Sequence, residues 1–178
     1  LSTHELTDEI LGGIHGADAQ RLVAAGQRGI PRLVVPGGAD VITLGEPQSV
    51  PEAYRGQPSV PHNPHITLVR ASAGQVTRVA TAMAERLNQA RGPVAVAVPQ
   101  GGWSYYNRKG LIFYDAEANH AFVTALREKL RDGIPVHEFD AHVNDPQFAE
   151  AIVPLFHGLV AQARRDEGAG PGDRCEER

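Results

Sequence analysis

Val94-Ala95-Val96-Ala97-Val98, closed by Pro99-Gln100-Gly101-Gly102-Trp103-Ser104, is the stretch on which the fold turns. An unbroken apolar run of this kind fits a strand covered on both faces, and such strands belong to parallel sheets flanked by helices. The flanking sequence supplies the helices. Upstream, Val76, Val79, Ala80, Met83, Ala84 and Leu87 recur at helical intervals. They predict a helix over residues 72–90, with Ser72 as N-cap and Gly92-Pro93 as stop. Downstream, Asp115 caps a second helix that carries Ala118, Phe122, Leu126 and Leu130 on one face and ends at Asp132-Gly133. Further out, Arg32-Leu33-Val34-Val35, Val41-Ile42-Thr43-Leu44, Ile66-Thr67-Leu68-Val69 and Pro135-Val136-His137-Glu138-Phe139 read as short strands. Residues 3–28 read as a helical start, with Asp18 capping a helix through Arg28. Pro146 opens a last helix that reaches about Arg165 despite Pro154. The alternation predicts an α/β fold: an open, mostly parallel, Rossmann-like sheet with helices on both faces, in one domain over residues 1–165. The Gly-rich, charged tail over residues 166–178 is expected to be disordered.

Composition excludes several classes. The 178 residues carry 17 Lys+Arg against 21 Asp+Glu, a formal charge of −4, with a pI near 6.1. That balance argues against a nucleic-acid partner. No apolar run approaches the roughly 18 residues of a membrane span, so no membrane partner is expected. The single cysteine, Cys175, allows neither an internal disulfide nor a Cys-rich zinc site. With no secretory pattern at the start, a cytoplasmic protein is expected. The chain opens on Leu1, and Leu1-Ser2-Thr3-His4-Glu5-Leu6 reads as a pattern already under way, so an incomplete polypeptide is expected.

In open α/β sheets, ligands bind beyond the carboxyl ends of the strands. That rule selects Pro36-Gly37-Gly38-Ala39-Asp40, Gly101-Gly102-Trp103-Ser104 and Asp140-Ala141-His142-Val143-Asn144-Asp145. The glycine pairs Gly37-Gly38 and Gly101-Gly102 let backbone N–H groups approach phosphate oxygens, or else serve turns that need positive φ. Neither forms a P-loop or a GxGxxG fingerprint. Residues 46–64 hold Pro47, Pro51, Pro58, Pro61 and Pro64 and end in His62-Asn63-Pro64-His65, which reads as an ordered, functional loop. His62, His65 and His142 with Asp140 and Asp145 leave a divalent metal open, but no metal ligand set is assigned, because their spacing matches no helical ligand pair. Ser104, Asp140 and His142 occur in an order that hydrolases use, without the Gly-x-Ser-x-Gly elbow; Ser104 reads better as a ligand hydrogen-bonder than as a nucleophile. Trp103, Tyr105 and Tyr106 either stack on a planar ligand or pack at an interface between domains. Arg70, ending an apolar run, is a candidate anion partner. Gly12-Gly13-Ile14-His15-Gly16 reads as a connection between helical stretches, with a hinge or a ligand-contacting turn as alternatives.

The ordered set of local patterns resembles one family. Leu1-Ser2-Thr3-His4-Glu5-Leu6 with Asp8-Glu9 and Gly12-Gly13, Gly29-Ile30-Pro31 with Pro36-Gly37, and Val50-Pro51-Glu52 with Tyr54-Arg55-Gly56 are similar to the tomato-mosaic-virus-resistance-protein-like ATP-binding family. So are His62-Asn63-Pro64 with Thr67-Leu68 and Arg70, and the run Asp140 to Pro146. The resemblance reaches about Leu159. It implies two α/β halves in one chain, of which this sequence resembles the second; ATP binding is associated with the two-half module. It also implies ligand-contacting roles for Thr3, His4, Glu5, Pro36, Gly37, His62, Asn63, Arg70, Ser104, Asp140, His142, Asn144 and Asp145.

Three functions follow as expectations. The first is a ligand-binding half-module whose cleft is completed by an N-terminal α/β half, with Gly38, Gly101 and Gly102 joining the residues above and ATP reached through that other half. The second is a hydrolase or lyase on a small polar carbonyl or carboxylate compound, with His142 or His62 as acid or base and Asp140 beside them. The third is a regulatory interaction domain without chemistry. A homo-oligomer is expected.

Overall fold

In a computed structural model that describes residues 3–168, the elements follow in chain order. They are α1 (His4–Leu11), α2 (Ala24–Gln27), β1 (Arg32–Val34), β2 (Val41–Leu44), β3 (Ser59–Asn63), β4 (Ile66–Arg70), α3 (Ala73–Leu87), β5 (Val94–Pro99), α4 (Ala116–Lys129), β6 (Val136–Phe139) and α5 (Pro146–Gly168). Leu1, Ser2 and the expected tail beyond residue 168, Cys175 included, lie outside the described residues.

Alternation within β5 decides what covers each face of its sheet. Val94, Val96 and Val98 enter the larger core with Val76, Val79, Met83 and Leu87 of α3 and Phe122 and Leu126 of α4. Ala95 and Ala97 point the other way, into a smaller core with Leu33 of β1 and Phe148 and Leu159 of α5. Both faces are therefore buried, which is why the strand is apolar at every position. The sheet order is β1-β5-β6, all parallel. Helix ends match the local signals. Ser72 accepts from the Gln75 amide while the Gln75 side chain returns a bond to the Ser72 amide, a full capping box, and Asp115 caps α4 through the Ala118 amide.

Two expectations about the strands are corrected. The fold is α/β with a parallel sheet and helices on both faces, but β2 and β4 do not extend that sheet. They pair antiparallel in a second sheet of order β2-β4-β3. Short apolar runs carry no record of strand direction, so their pairing is a non-local outcome. The Pro-rich segment is also less irregular than expected. It contains two 3-10 turns, Pro47–Ser49 and Glu52–Tyr54, followed by β3. Pro61 is tolerated there because β3 is an edge strand with a register shift between Pro61 and Asn63.

The helical start is broken. α1 ends at Gly12, with φ 79°, and only the short α2 follows. Leu22, at φ 66°, interrupts the expected helix because its carbonyl is turned towards the buried Arg32 guanidinium. Asp18 accepts from the nearby Gln20 amide at 2.8 Å instead of opening a long helix. At the other end, α5 passes the expected Arg165 and holds Pro154 inside it. Among the described residues no helix is long and apolar enough to cross a membrane.

Candidate functional site

The three loops selected by the strand-end rule come together. Gly38 donates its amide to Trp103 O at 2.8 Å, Gly101 to Ala141 O at 2.8 Å, and Val143 to Gly102 O at 3.0 Å. The 36–40, 101–104 and 140–145 segments are thereby tied into one floor beyond the ends of β1, β5 and β6. Gly101 and Gly102 are required by this closeness. A Cβ on Gly101 would stand 2.9 Å from the Ala141 backbone, and one on Gly102, at φ 124°, would stand 1.5 Å from Asn107 O. Both amides are engaged within the protein, the second with Pro99 O at 3.4 Å.

Beneath this floor lies a buried polar cluster. Asp40 is fully buried and accepts from the Ser104 hydroxyl at 2.7 Å through Oδ2. Its Oδ1 has no hydrogen-bond partner among the described residues. Burial pushes the Asp40 carboxyl above the usual carboxylate range, against the opposing influence of Arg70 and the Ser104 hydroxyl. Arg70 is 3% exposed. Its Nε donates to Phe113 O at 2.8 Å, its Nη1 to Ala71 O at 2.7 Å, and its Nη2 to Asn119 Oδ1 at 2.9 Å. Asn119 and Asn107 exchange amide hydrogen bonds at 3.1 and 3.2 Å. Arg70 therefore ties β4 to the segment before α4 and to α4 itself, with its guanidinium directed inward.

His142 is 3% exposed. Its Nδ1 accepts from the Asn144 amide at 3.1 Å, and its Nε2 lies 2.9 Å from Ser104 O. Those partners assign the Nε2–H tautomer, because a carbonyl can only accept. To act as acid or base, His142 must first release one of these backbone partners. Asp145 accepts from the His142 amide and pairs with Arg108, and these two partners hold its carboxyl below its ordinary value. Asp140 is exposed at the rim.

Thr3 donates its amide to Gly37 O at 3.1 Å, which brings the start of α1 against the 36–40 turn. His4 stands behind Gly38, whose added Cβ would lie 2.9 Å from His4 Cβ. Glu5 faces away, paired with Arg21 at 3.1 Å. Pro36 is buried beneath the turn. Trp103 belongs to the core: it is 2% exposed, donates to Pro99 O, and packs on Phe122. Tyr105, by contrast, is 71% exposed.

His62 and Asn63 are not part of this cluster. They sit exposed at the tip of the β3–β4 hairpin, at the end of β4 opposite Arg70. His65 there contacts Glu46 at 3.1 Å. The metal set considered from His62, His65 and His142 is therefore not assembled. The residues whose part here is least legible in sequence are Asn107 and Asn119; Asp40 lies in the 36–40 loop that the strand-end rule selects, but nothing local marks it as the buried partner of Ser104.

Above the floor opens a cleft of about 420 Å³, lined by Val35, Gly37, Gly38, Trp103, Ser104, Tyr105, Val143, Asn144, Phe148, Ala149 and Ile152. That volume lies in the range of small-molecule sites. The fold and this cleft together define an α/β domain with its candidate site at the carboxyl edge of a parallel sheet.

The chain belongs to the family described as uncharacterised protein family UPF0261, whose C-terminal domain it matches over residues 1–160. It is 34% identical over 158 residues to a UPF0261 protein of Brucella melitensis, covering 89% of this chain and 38% of that protein. A UPF0261 protein of Clostridium tetani is 32% identical over 153 residues, 85% of this chain and 38% of that one. The tomato ToMV resistance protein Tm-1(GCR237) is 29% identical over 169 residues, 94% of this chain and 22% of that protein. The chain thus spans about two fifths of the length of these bacterial relatives.

Proposed function

We propose that this domain is the ligand-binding second half of a two-half module, and that its strand-end cleft takes a small polar ligand, with ATP the leading candidate. The carrying observation is the cleft itself. Its floor, which includes Gly38 and Ser104, is locked by hydrogen bonds, while its mouth, at the exposed Tyr105 and Asn144, stays open. The chain covers 38% of the Brucella relative, which leaves sequence in such proteins to close that mouth. A preorganised floor with an open face is what a site shared between two halves requires. An apolar groove next to it supports the same reading. Ile30, Val153 and Phe156 are exposed at 46%, 50% and 42% and flank a groove of about 580 Å³, a surface suited to an apolar partner.

The test is calorimetric. ATP is titrated into the 178-residue chain alone, and then with the N-terminal part of the Brucella relative supplied in trans. Weak or no binding alone, with binding restored by the second part, supports shared ligation. Tight ATP binding by this chain alone contradicts the division of labour.

A further inference from the structure

We propose that His4, Asp8 and His15 form a binding site for a divalent transition-metal ion of the zinc type, independent of the cleft. The site is built by α1 and by the glycine turn that follows it. One helical turn separates His4 from Asp8, so both side chains project from the same face, and His4 Nε2 lies 3.5 Å from Asp8 Oδ2. α1 then stops at Gly12, whose φ of 79° reverses the chain. Gly13 permits the return path: a Cβ there would lie 2.2 Å from Asp8 Cγ. The chain folds back over Asp8, and His15 donates its amide to Asp8 Oδ2 at 3.2 Å. The rings of His4 and His15 end 5.8 Å apart. One ligand atom from each of the three residues lies within 4.8 Å of the others.

Zinc bonds of about 2.0–2.1 Å hold neighbouring tetrahedral donors roughly 3.3–3.4 Å apart. The His4–Asp8 pair already meets that spacing, and the exposed His15 closes the remainder by side-chain rotation. Two imidazoles and one carboxylate suit zinc and its first-row neighbours, whereas magnesium and calcium take oxygen donors. The supporting contacts are those of a held ligand set. Asp8 is fully buried, and its Oδ1 accepts from the Thr43 amide at 2.8 Å. The Ile14 amide donates to Thr43 O at 2.8 Å, anchoring the turn that carries His15. Orientation of ligands by such outer contacts is a regular part of metal sites. Thr43 Oγ1 lies 2.6 Å from His4 Nε2, a contact that His4 gives up when that nitrogen takes a metal ion. The Gly12-Gly13 pair and the position of His15 gain one explanation.

The experiment uses the 178-residue chain, stripped by a chelator and titrated with Zn²⁺ alone, with bound zinc measured by elemental analysis after gel filtration. The expected result is a single retained zinc ion and a higher Tm that a chelator reverses. His15→Ala, at an exposed position, should keep the parent circular dichroism and weaken zinc binding by more than about tenfold. Asp8→Asn should abolish retention, while His65→Ala and His120→Ala should leave it unchanged. The proposal is overturned if the parent retains no zinc or if His15→Ala binds as the parent does. It is equally overturned if the two control variants lose as much affinity, since the metal would then be held by scattered surface histidines.

Discussion

The strand-end floor and the β3–β4 hairpin tip use the same residue types and treat them in opposite ways. At the floor, His142 has backbone partners at both ring nitrogens and is 3% exposed. At the tip, His62 and Asn63 are open to solvent, and the His65 side chain is 79% exposed. In the floor, polar side chains answer one another: Arg70 to Asn119, Asn119 to Asn107, Ser104 to Asp40. The tip holds one exposed His65–Glu46 contact and a turn in which Asn63 Oδ1 accepts from the His65 amide at 2.8 Å. Polar residues of one composition are thus a scaffold where burial forces pairing and a solvated turn where it does not.

The largest expected effect comes from breaking the scaffold. Arg70→Ala orphans the carbonyls of Ala71 and Phe113 and leaves Asp40 buried without its neighbouring cation. A loss of about 2–5 kcal/mol is expected from leaving buried carbonyls unpaired, read as a fall in the urea midpoint; a loss below ~1 kcal/mol would show that the cluster contributes little to stability.

Next comes Asp40→Asn, which separates charge from shape. The folded-state carboxyl of Asp40 is raised, so its contribution to stability is fully present below the unfolded value of about 3.9 and is lost as pH rises through the folded value. The stability difference between the parent and Asp40→Asn should therefore shift in favour of the variant as pH rises from 4 to 8. Parallel pH curves for the two proteins would count against a raised carboxyl. The smallest effect belongs to the tip: His62→Ala should change stability by no more than about 0.5 kcal/mol, and a larger loss in the same urea experiment would mean the hairpin is more than a solvated turn.

How far the sequence foretells this arrangement depends on whether a feature is local. The helix over Ala73–Leu87 is readable because Ser72 and Gln75 cap it within one turn and Val76 to Leu87 mark its buried face. β5 is readable because both its faces are apolar. The antiparallel pairing of β2 with β4 is not, since nothing within Val41–Leu44 states which strand it meets. Leu22 at positive φ is equally hidden, because its cause is Arg32, further along the chain. The site divides in the same manner. Strand-end loops follow from the strand positions, so the 36–40, 101–104 and 140–145 segments are found together. The Asn107–Asn119 exchange and the turn of Gly13 over Asp8 join positions that no spacing rule connects.

The comparison between floor and tip also gives the most direct measurement of the ligand claim. ¹⁵N-labelled chain is titrated with ATP in the presence of the N-terminal part of the Brucella relative, and amide shifts are mapped residue by residue. Shifts are expected at Gly37, Gly38, Ser104, Tyr105 and Asn144, with His62 and Asn63 unmoved. Shifts centred on the hairpin tip, with the strand-end amides silent, would contradict the ligand claim.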